Sequence, residues 1–199
     1  MDATTGKKLN PPAVERGSTF DWSVVWNYLT ELAEDFTTTE GQKAFTLTNP
    51  PALITKDPEV YKLRVWLDGF EVTAGWAVLG SKLYFQNPFE AGVEVHVLYS
   101  YKTAMDLTGY SARMQIRAGV GQVPICELLS TNATGEAQII LTNPGGIRLL
   151  VPETLTRDWT PFTYQYDLEL SNDGLSPAYV TRILEGKFRV VPNITELIV

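Results

Sequence analysis

The sequence predicts a mainly β protein, with two antiparallel β-sandwich or barrel-like domains and one N-terminal amphipathic helix. Three observations carry that expectation. Apolar and polar residues alternate in short runs through most of the chain, turn-forming clusters separate those runs, and a single segment has helical spacing. Such short strands with polar outer faces belong to antiparallel sheets. The 199 residues suit one large or two small domains.

Taken in chain order, residues 1–20 are polar, contain Pro11 and Pro12, and read as an extended N-terminal arm. Such an arm is either loose or ordered against a neighbouring subunit. Residues 21–36 carry the helical spacing: Trp22, Val25, Trp26, Leu29, Leu32, Ala33 and Phe36 recur on one stripe. Thr19 or Asp21 is placed to cap its start. Two tryptophans on one stripe require a cover, which is either the protein's own sheet or a partner copy.

Beyond Phe36 the period falls to two. Tyr61, Leu63, Val65 and Leu67 alternate with Lys62, Arg64 and Trp66, and Asp68-Gly69 then has the chemistry of a two-residue hairpin turn. Val93, Val95, Val97, Tyr99 and Tyr101 share one face of the next long strand, opposite Glu94, His96, Leu98 and Ser100. The run ends near Lys102–Met105, where the domain boundary is drawn. The helix and first β domain thus take 21–103, and a second β-sandwich takes 104–199. In the second, Tyr110, Ala112, Met114 and Ile116 alternate with polar neighbours. Phe162, Tyr164, Tyr166, Leu168 and Leu170 make the cleanest strand, and Asn143-Pro144-Gly145-Gly146, Asn172-Asp173-Gly174 and Glu185-Gly186 mark turns.

Several function classes find little support. The formal net charge is −7 with no basic run, which opposes phosphate neutralisation and hence nucleic-acid binding. No stretch approaches the ~20 apolar residues of a membrane helix. Residues 1–17 hold no apolar core of signal-peptide length, so the chain is expected to be made in a cytoplasm. The sole cysteine, Cys126, lies in the apolar run Ile125-Cys126-Glu127-Leu128-Leu129 and reads as a packing residue. The sole histidine, His96, sits mid-strand without the partners of a nucleophilic triad. One cysteine and one histidine, far apart, make no zinc site. Asn172-Asp173-Gly174 fits a hairpin turn better than a calcium loop. Asp167 and Glu169 share one strand face with the separation glycosidases use, a spacing common on any polar sheet. The expectation is a protein that is not an enzyme and takes no cofactor or metal. Binding would instead use aromatic side chains. The candidate interface is Trp22, Trp26 and Leu29 of the helical stripe with Trp66, on the polar side of its strand, and Trp76. Trp66 is alternatively covered by the helix.

A combination of short motifs adds to this. Asp106-Leu107-Thr108-Gly109 is followed by Met114-Gln115-Ile116-Arg117 and Gln138-Ile139-Ile140-Leu141. Tyr164-Gln165-Tyr166-Asp167-Leu168-Glu169-Leu170, Leu184-Glu185-Gly186 and Val191-Pro192-Asn193-Ile194-Thr195 come after them. In this order they resemble the N-terminal β-sandwich domain of phage baseplate upper proteins, over residues 106–195. Val65-Trp66-Leu67-Asp68-Gly69, Leu83-Tyr84-Phe85 and Ala91-Gly92-Val93-Glu94-Val95 are similar to a small β module of phage fibre and neck proteins, over 58–101. In the first family the module opens the protein, whereas here it closes it. The resemblance implies a structural virion protein of a tailed phage, made in the host cytoplasm, that bridges the tail, neck or baseplate to another particle protein such as a fibre. It implies other virion proteins as partners and several copies per particle, hence a homo-oligomer, and it carries no catalytic residues. Capsid decoration or a head fibre is the first alternative. A carbohydrate-binding or glycan-degrading tail protein is the second.

Overall fold

The computed structural model describes residues 7–52, 63–172 and 179–193. These form two compact β units. One contains residues up to Trp26 together with those from Met105 onward, and the other is Asn27–Ala104. The second unit is therefore an insertion in the first, and the chain leaves and re-enters at neighbouring points. Asn27 is paired with Ala104 at the end of a ladder, and the Met105 N–H donates to the Trp26 carbonyl at 3.0 Å.

The larger unit begins with β1 (Lys7–Lys8), β2 (Val14–Glu15) and β3 (Phe20–Val25). The inserted unit holds β4 (Asn27–Thr37), β5 (Ala44–Thr46), β6 (Arg64–Leu67), β7 (Phe70–Val72), β8 (Trp76–Leu79), β9 (Lys82–Phe85) and β10 (Glu94–Ala104). The larger unit resumes with β11 (Ser111–Arg117), β12 (Cys126–Leu129), β13 (Gln138–Thr142), β14 (Gly146–Val151), the one-turn helix α1 (Glu153–Thr156), β15 (Phe162–Asn172) and β16 (Tyr179–Val191).

The expected helix over 21–36 is not there. Its residues form β3 and most of β4. Phe20, Trp22 and Val24 turn inward while Asp21, Ser23 and Val25 turn out, and Thr30, Leu32, Glu34 and Phe36 turn inward along β4. The period is two, and one residue disguises it. Glu34 is a carboxylate on an otherwise inward row, tolerated because the Thr48 N–H donates to it at 2.9 Å and the Tyr99 hydroxyl donates to it as well. Burial first, and then the Glu34 carboxylate, push the Tyr99 phenol up to about 12. With Glu34 scored as outward, the remaining apolar residues fall on a helical stripe by coincidence.

The expected domain limits change with it. β3 pairs antiparallel with β14, Phe20 opposite Val151 and Val25 opposite Gly146. Residues 21–26 thus belong to the larger unit, not to a first domain over 21–103. The Arg148 guanidinium fastens this pairing with two hydrogen bonds to Asp21, at 2.8 and 2.5 Å, and holds the Asp21 carboxyl below its usual range.

The larger unit is one sheet in the order β1-β16-β15-β11-β12-β13-β14-β3, with β2 also on β16. The sheet folds over on itself so that β3 faces β16 and β15 across the core, giving a sandwich-like enclosure. Phe20 of β3 lies edge-on to Phe188 of β16 at 4.9 Å, and Trp22 to Tyr166 of β15 at 6.5 Å. The enclosed core includes Met114, Ile116, Leu128, Ile147, Leu149, Leu168, Leu170 and Phe188. A bulge in β16 moves the register between Leu184 and Arg182, so that both Ile183 and Leu184 are buried.

The inserted unit stacks a four-stranded sheet, β4-β10-β6-β7, on a three-stranded one, β5-β9-β8. Phe45, Leu47, Val65, Leu83, Phe85, Val95, Val97 and Tyr99 fill the space between. The Asp68-Gly69 turn has φ of 47° and 81°, the two positive angles that a type I′ hairpin requires.

The N-terminal arm is partly accounted for within the chain itself. Lys7 and Lys8 pair in parallel with Leu184 and Glu185, and Val14 and Glu15 with Val190 and Val191. Val14 is buried. Gly186 makes the crossing possible, because a Cβ there would sit 2.3 Å from the Leu9 carbonyl oxygen and 2.9 Å from Asn10 Oδ1. The Tyr166 hydroxyl donates to the same Leu9 carbonyl, and the Lys187 N–H donates to Asn10 Oδ1 at 2.9 Å. Residues 1–6, Tyr61, the Asp173-Gly174 part of the expected turn, and Ile194-Thr195 lie outside the described residues.

Gly186→Ala is therefore expected to lift the arm from β16 and to lower the unfolding free energy by about 1–3 kcal/mol. Hydrogen exchange should quicken at the Leu9, Arg16 and Lys187 amides. In a chain shortened by residues 1–16 the same substitution should cost little, and an equal cost there would mean that the arm is not what Gly186 accommodates.

Candidate functional site

The outer face of the four-stranded sheet gathers the most chemically varied exposed side chains of the inserted unit. Strand register builds it. Asp35 of β4 lies opposite His96 of β10, His96 opposite Trp66 of β6, and Trp66 opposite Glu71 of β7. One row across the sheet thus reads acid, imidazole, indole, acid. His96 Nδ1 is 2.6 Å from Asp35 Oδ1. The imidazole and indole centroids are 5.0 Å apart. The Arg64 guanidinium lies 4.7 Å from the Trp66 ring centroid and is held there by two 2.8 Å hydrogen bonds to Glu71. Cation–π stacking of this kind orients both groups. The Glu71 hydrogen bonds also raise the Arg64 pKa further above its usual range.

The next row pairs Leu98 with Ala33 on one side and Arg64 on the other, and Leu29 sits opposite Lys102 further along. The face thus has an apolar middle between charged groups. Arg64 and Glu71 keep 43% and 40% of their side-chain surface exposed, and Asp35 keeps 77%. Aromatic and Arg side chains are the groups that protein interfaces favour, and here Trp66 and Arg64 stand between exposed carboxylates.

Of the five candidate interface residues, Trp66 and Leu29 lie on this face. The other three are half-buried packing residues. Trp22 and Trp26 cover the larger unit's core, with Trp26 edge-on to Tyr110 at 6.4 Å. Trp76 packs on the inserted unit's core and donates its indole N–H to the Val72 carbonyl at 3.0 Å. The helix expected over 21–36 as a cover for Trp66 is strand instead. Sequence reasoning set His96 and Asp35 apart, one on a strand and the other on a helix. Reading 27–37 as a strand would have faced them.

Two clefts of the larger unit are lined by described residues. One, about 410 Å³, is lined by Ile125, Cys126, Leu155, Asp158, Trp159 and Tyr164 among others. Burial there, and then the neighbouring Glu127 charge, push the Cys126 thiol up to about 12. The other, about 330 Å³, has Ser111, Arg113, Ser130, Glu169 and Ser171 in its wall beside Ala112, Leu129 and Val180. Asp167 and Glu169, the pair with glycosidase-like spacing, both approach Arg182, at 3.7 and 3.8 Å, and Glu185 joins them at 3.6 Å. Both carboxylates are thus held by one cation. Among the described residues, no group of three or more His, Cys, Asp or Glu side chains is arranged to hold a metal ion, and no helix is long and apolar enough to cross a membrane.

Comparison of the chain with protein-family models, curated proteins and solved structures found no match.

Two outcomes are expected from this geometry. Because the Asp35–His96 hydrogen bond and the Arg64–Glu71 ion pair are both exposed, Asp35→Asn and Glu71→Gln should each change the urea-unfolding free energy by less than about 1 kcal/mol. A loss above about 2 kcal/mol would make the row part of the framework rather than a presented surface. Cys126 should react with a disulfide reagent at pH 8 at least ~100-fold more slowly in the folded protein than in urea, because only the thiolate attacks. Equal rates would contradict the raised thiol pKa.

Proposed function

We propose that this chain is a non-enzymatic structural component of a tailed-phage particle, an adaptor of the tail, neck or baseplate that docks another particle protein such as a fibre. The observation that carries the reading is how the motif residues behind the baseplate resemblance are used in the larger unit. Asp106 accepts hydrogen bonds from the Thr108 N–H at 2.9 Å and hydroxyl at 2.7 Å, and Gly109 follows with φ of 75°. Asn143 clasps that turn, accepting from the Leu107 N–H at 2.6 Å and donating to Thr108 Oγ1 at 2.8 Å. Tyr164, Tyr166, Leu168 and Leu170 of the Tyr-x-Tyr-Asp-Leu-x-Leu motif are all buried on β15, between β16 and β11. Gly186 of the Leu-x-Gly motif admits the arm. Residues that are scattered in sequence thus specify one module.

The insertion supports an adaptor in particular. One β unit carries the baseplate-like motifs, and the other, with its own core, presents the Trp66 face. Two independent cores let one unit be held while the other binds. An adaptor at a symmetric particle site is present in several copies.

Mass spectrometry and cryo-electron microscopy of purified particles from the phage that encodes the chain test this. Symmetric copies at the neck, tail or baseplate are the expected result. Copies on the capsid lattice would replace the reading with decoration, and absence from the particle would overturn it.

A further inference from the structure

Among the described residues, the inserted unit leaves the backbone of a long sheet edge open. The direction of each peptide group on β10 identifies it. Glu94 turns its carbonyl toward β6, where it accepts from the Asp68 N–H at 2.9 Å, and the Ser100 carbonyl accepts from the Ala52 N–H at 2.7 Å on that same side. The residues of β10 aimed at β4 are therefore Val95, Val97, Tyr99, Tyr101 and Thr103. Their partners on β4 are Phe36, Glu34, Leu32, Thr30 and Tyr28. In an antiparallel ladder the intervening residues point their N–H and C=O the other way. Leu29, Glu31, Ala33, Asp35 and Thr37 thus offer backbone groups to the outside, and among the described residues no strand pairs with that side of β4. Asn27–Thr37 has no proline, no lysine and no register shift to block pairing, and the charges it carries, Glu31 and Asp35 outward and Glu34 inward, are all acidic.

The side chains of the same residues decide what fits. Glu31 and Asp35 stand four apart on the outer face, both exposed. A second copy is disfavoured. Antiparallel self-pairing about Ala33 sets Glu31 directly opposite Asp35 twice, and pairing about Leu32 leaves Glu31 diagonal to both carboxylates of the other copy. Like charges at these separations destabilise a sheet. A strand with cations at the matching positions meets the opposite situation. It would place one beside Glu31 and one beside Asp35, which already accepts His96 on its far side. On the inner side its intervening residues would cover Leu32 and Phe36, both half-buried.

We propose that the open edge of β4 is a docking site for one extended segment of a partner protein, added antiparallel to the sheet and carrying Lys or Arg at two positions four residues apart. The proposal stands on the edge geometry and does not depend on where the protein resides. It goes beyond the adaptor reading by naming how a partner is held.

The probe is a capped octapeptide, Thr-Val-Lys-Thr-Thr-Val-Lys-Thr, with the same peptide carrying Glu in place of both Lys as its counterpart. Added to the full-length protein, the lysine peptide should shift the backbone amide resonances of Leu29, Glu31, Ala33, Asp35 and Thr37 and slow their hydrogen exchange. The glutamate peptide should bind at least tenfold more weakly. Glu31→Lys combined with Asp35→Lys should invert that preference. Ala33→Pro removes only an outward N–H and should abolish binding while the β10 amides keep their protection. Absence of protection by the lysine peptide, equal binding of the two peptides, or protection of the same amides by self-association at rising protein concentration would overturn the proposal. The double charge reversal keeps the test decisive where the proline variant fails to fold.

Discussion

The larger unit depends on its sheet folding over so that β3 faces β16 and β15 across the core. A flat sheet of this extent would leave one face of Phe20, Trp22, Tyr166 and Phe188 in water, and burying such rings is among the largest favourable contributions any side chain makes. Curling brings Phe20 of β3 against Phe188 of β16. Trp159, beyond α1, then closes on the same Phe188 at 5.8 Å. Much else follows from that closure. β3 must run beside β14, so the chain is at the sheet's end when it reaches Trp26. The insertion can begin there without interrupting a ladder, because it leaves where pairing stops. The Thr156 hydroxyl can reach the Ser18 carbonyl at 2.7 Å only because β3 has returned to α1.

What the sequence made legible was local and periodic. The buried residues of β10, β11 and β15 alternate, and so their faces can be read directly, although Phe162 at the start of β15 is exposed. The Asp68-Gly69 turn announces itself by composition. Two kinds of information were not legible. The first is a polar group satisfied by a distant partner. Glu34 breaks the alternation of β4 only because its acceptors' partners, Thr48 and Tyr99, are invisible to a local reading, and the false helix and the missed Asp35–His96 pairing both descend from that one residue. The second is pairing across long separations. Asp21 and Arg148 are 127 residues apart, and nothing near either announces the other. A domain limit at Lys102–Met105 could be guessed because the chain's pattern changes there, whereas the opposite limit at Trp26 falls between two strands of the same style.

The same distinction explains the tryptophans. Alternation alone set Trp66 apart from the apolar face of its strand, and in the fold it lies on an outer surface beside Arg64 and His96. Trp22, Trp26 and Trp76 were singled out for the cost of leaving them wet. That cost is real, but it is met by the protein's own cores. Apolar size gives the need for a cover and not its identity.

The two units treat their edges in opposite ways. β16 has 13 residues, and its free side would be the longest open ladder of the larger unit. The arm covers it from Lys7 to Glu15, and Gly186, by lacking a side chain, lets the arm approach. Open edges invite pairing with other chains, and a folded protein gains by closing those that no partner uses. A chain that covers one edge with its own residues has the means to manage edges. β4, at 11 residues, has no strand on its outer side among the described residues. Its carboxylates oppose pairing with its own kind while leaving the backbone available to a strand of the other charge, which is how selectivity is obtained when the attractive groups are the same in every sheet.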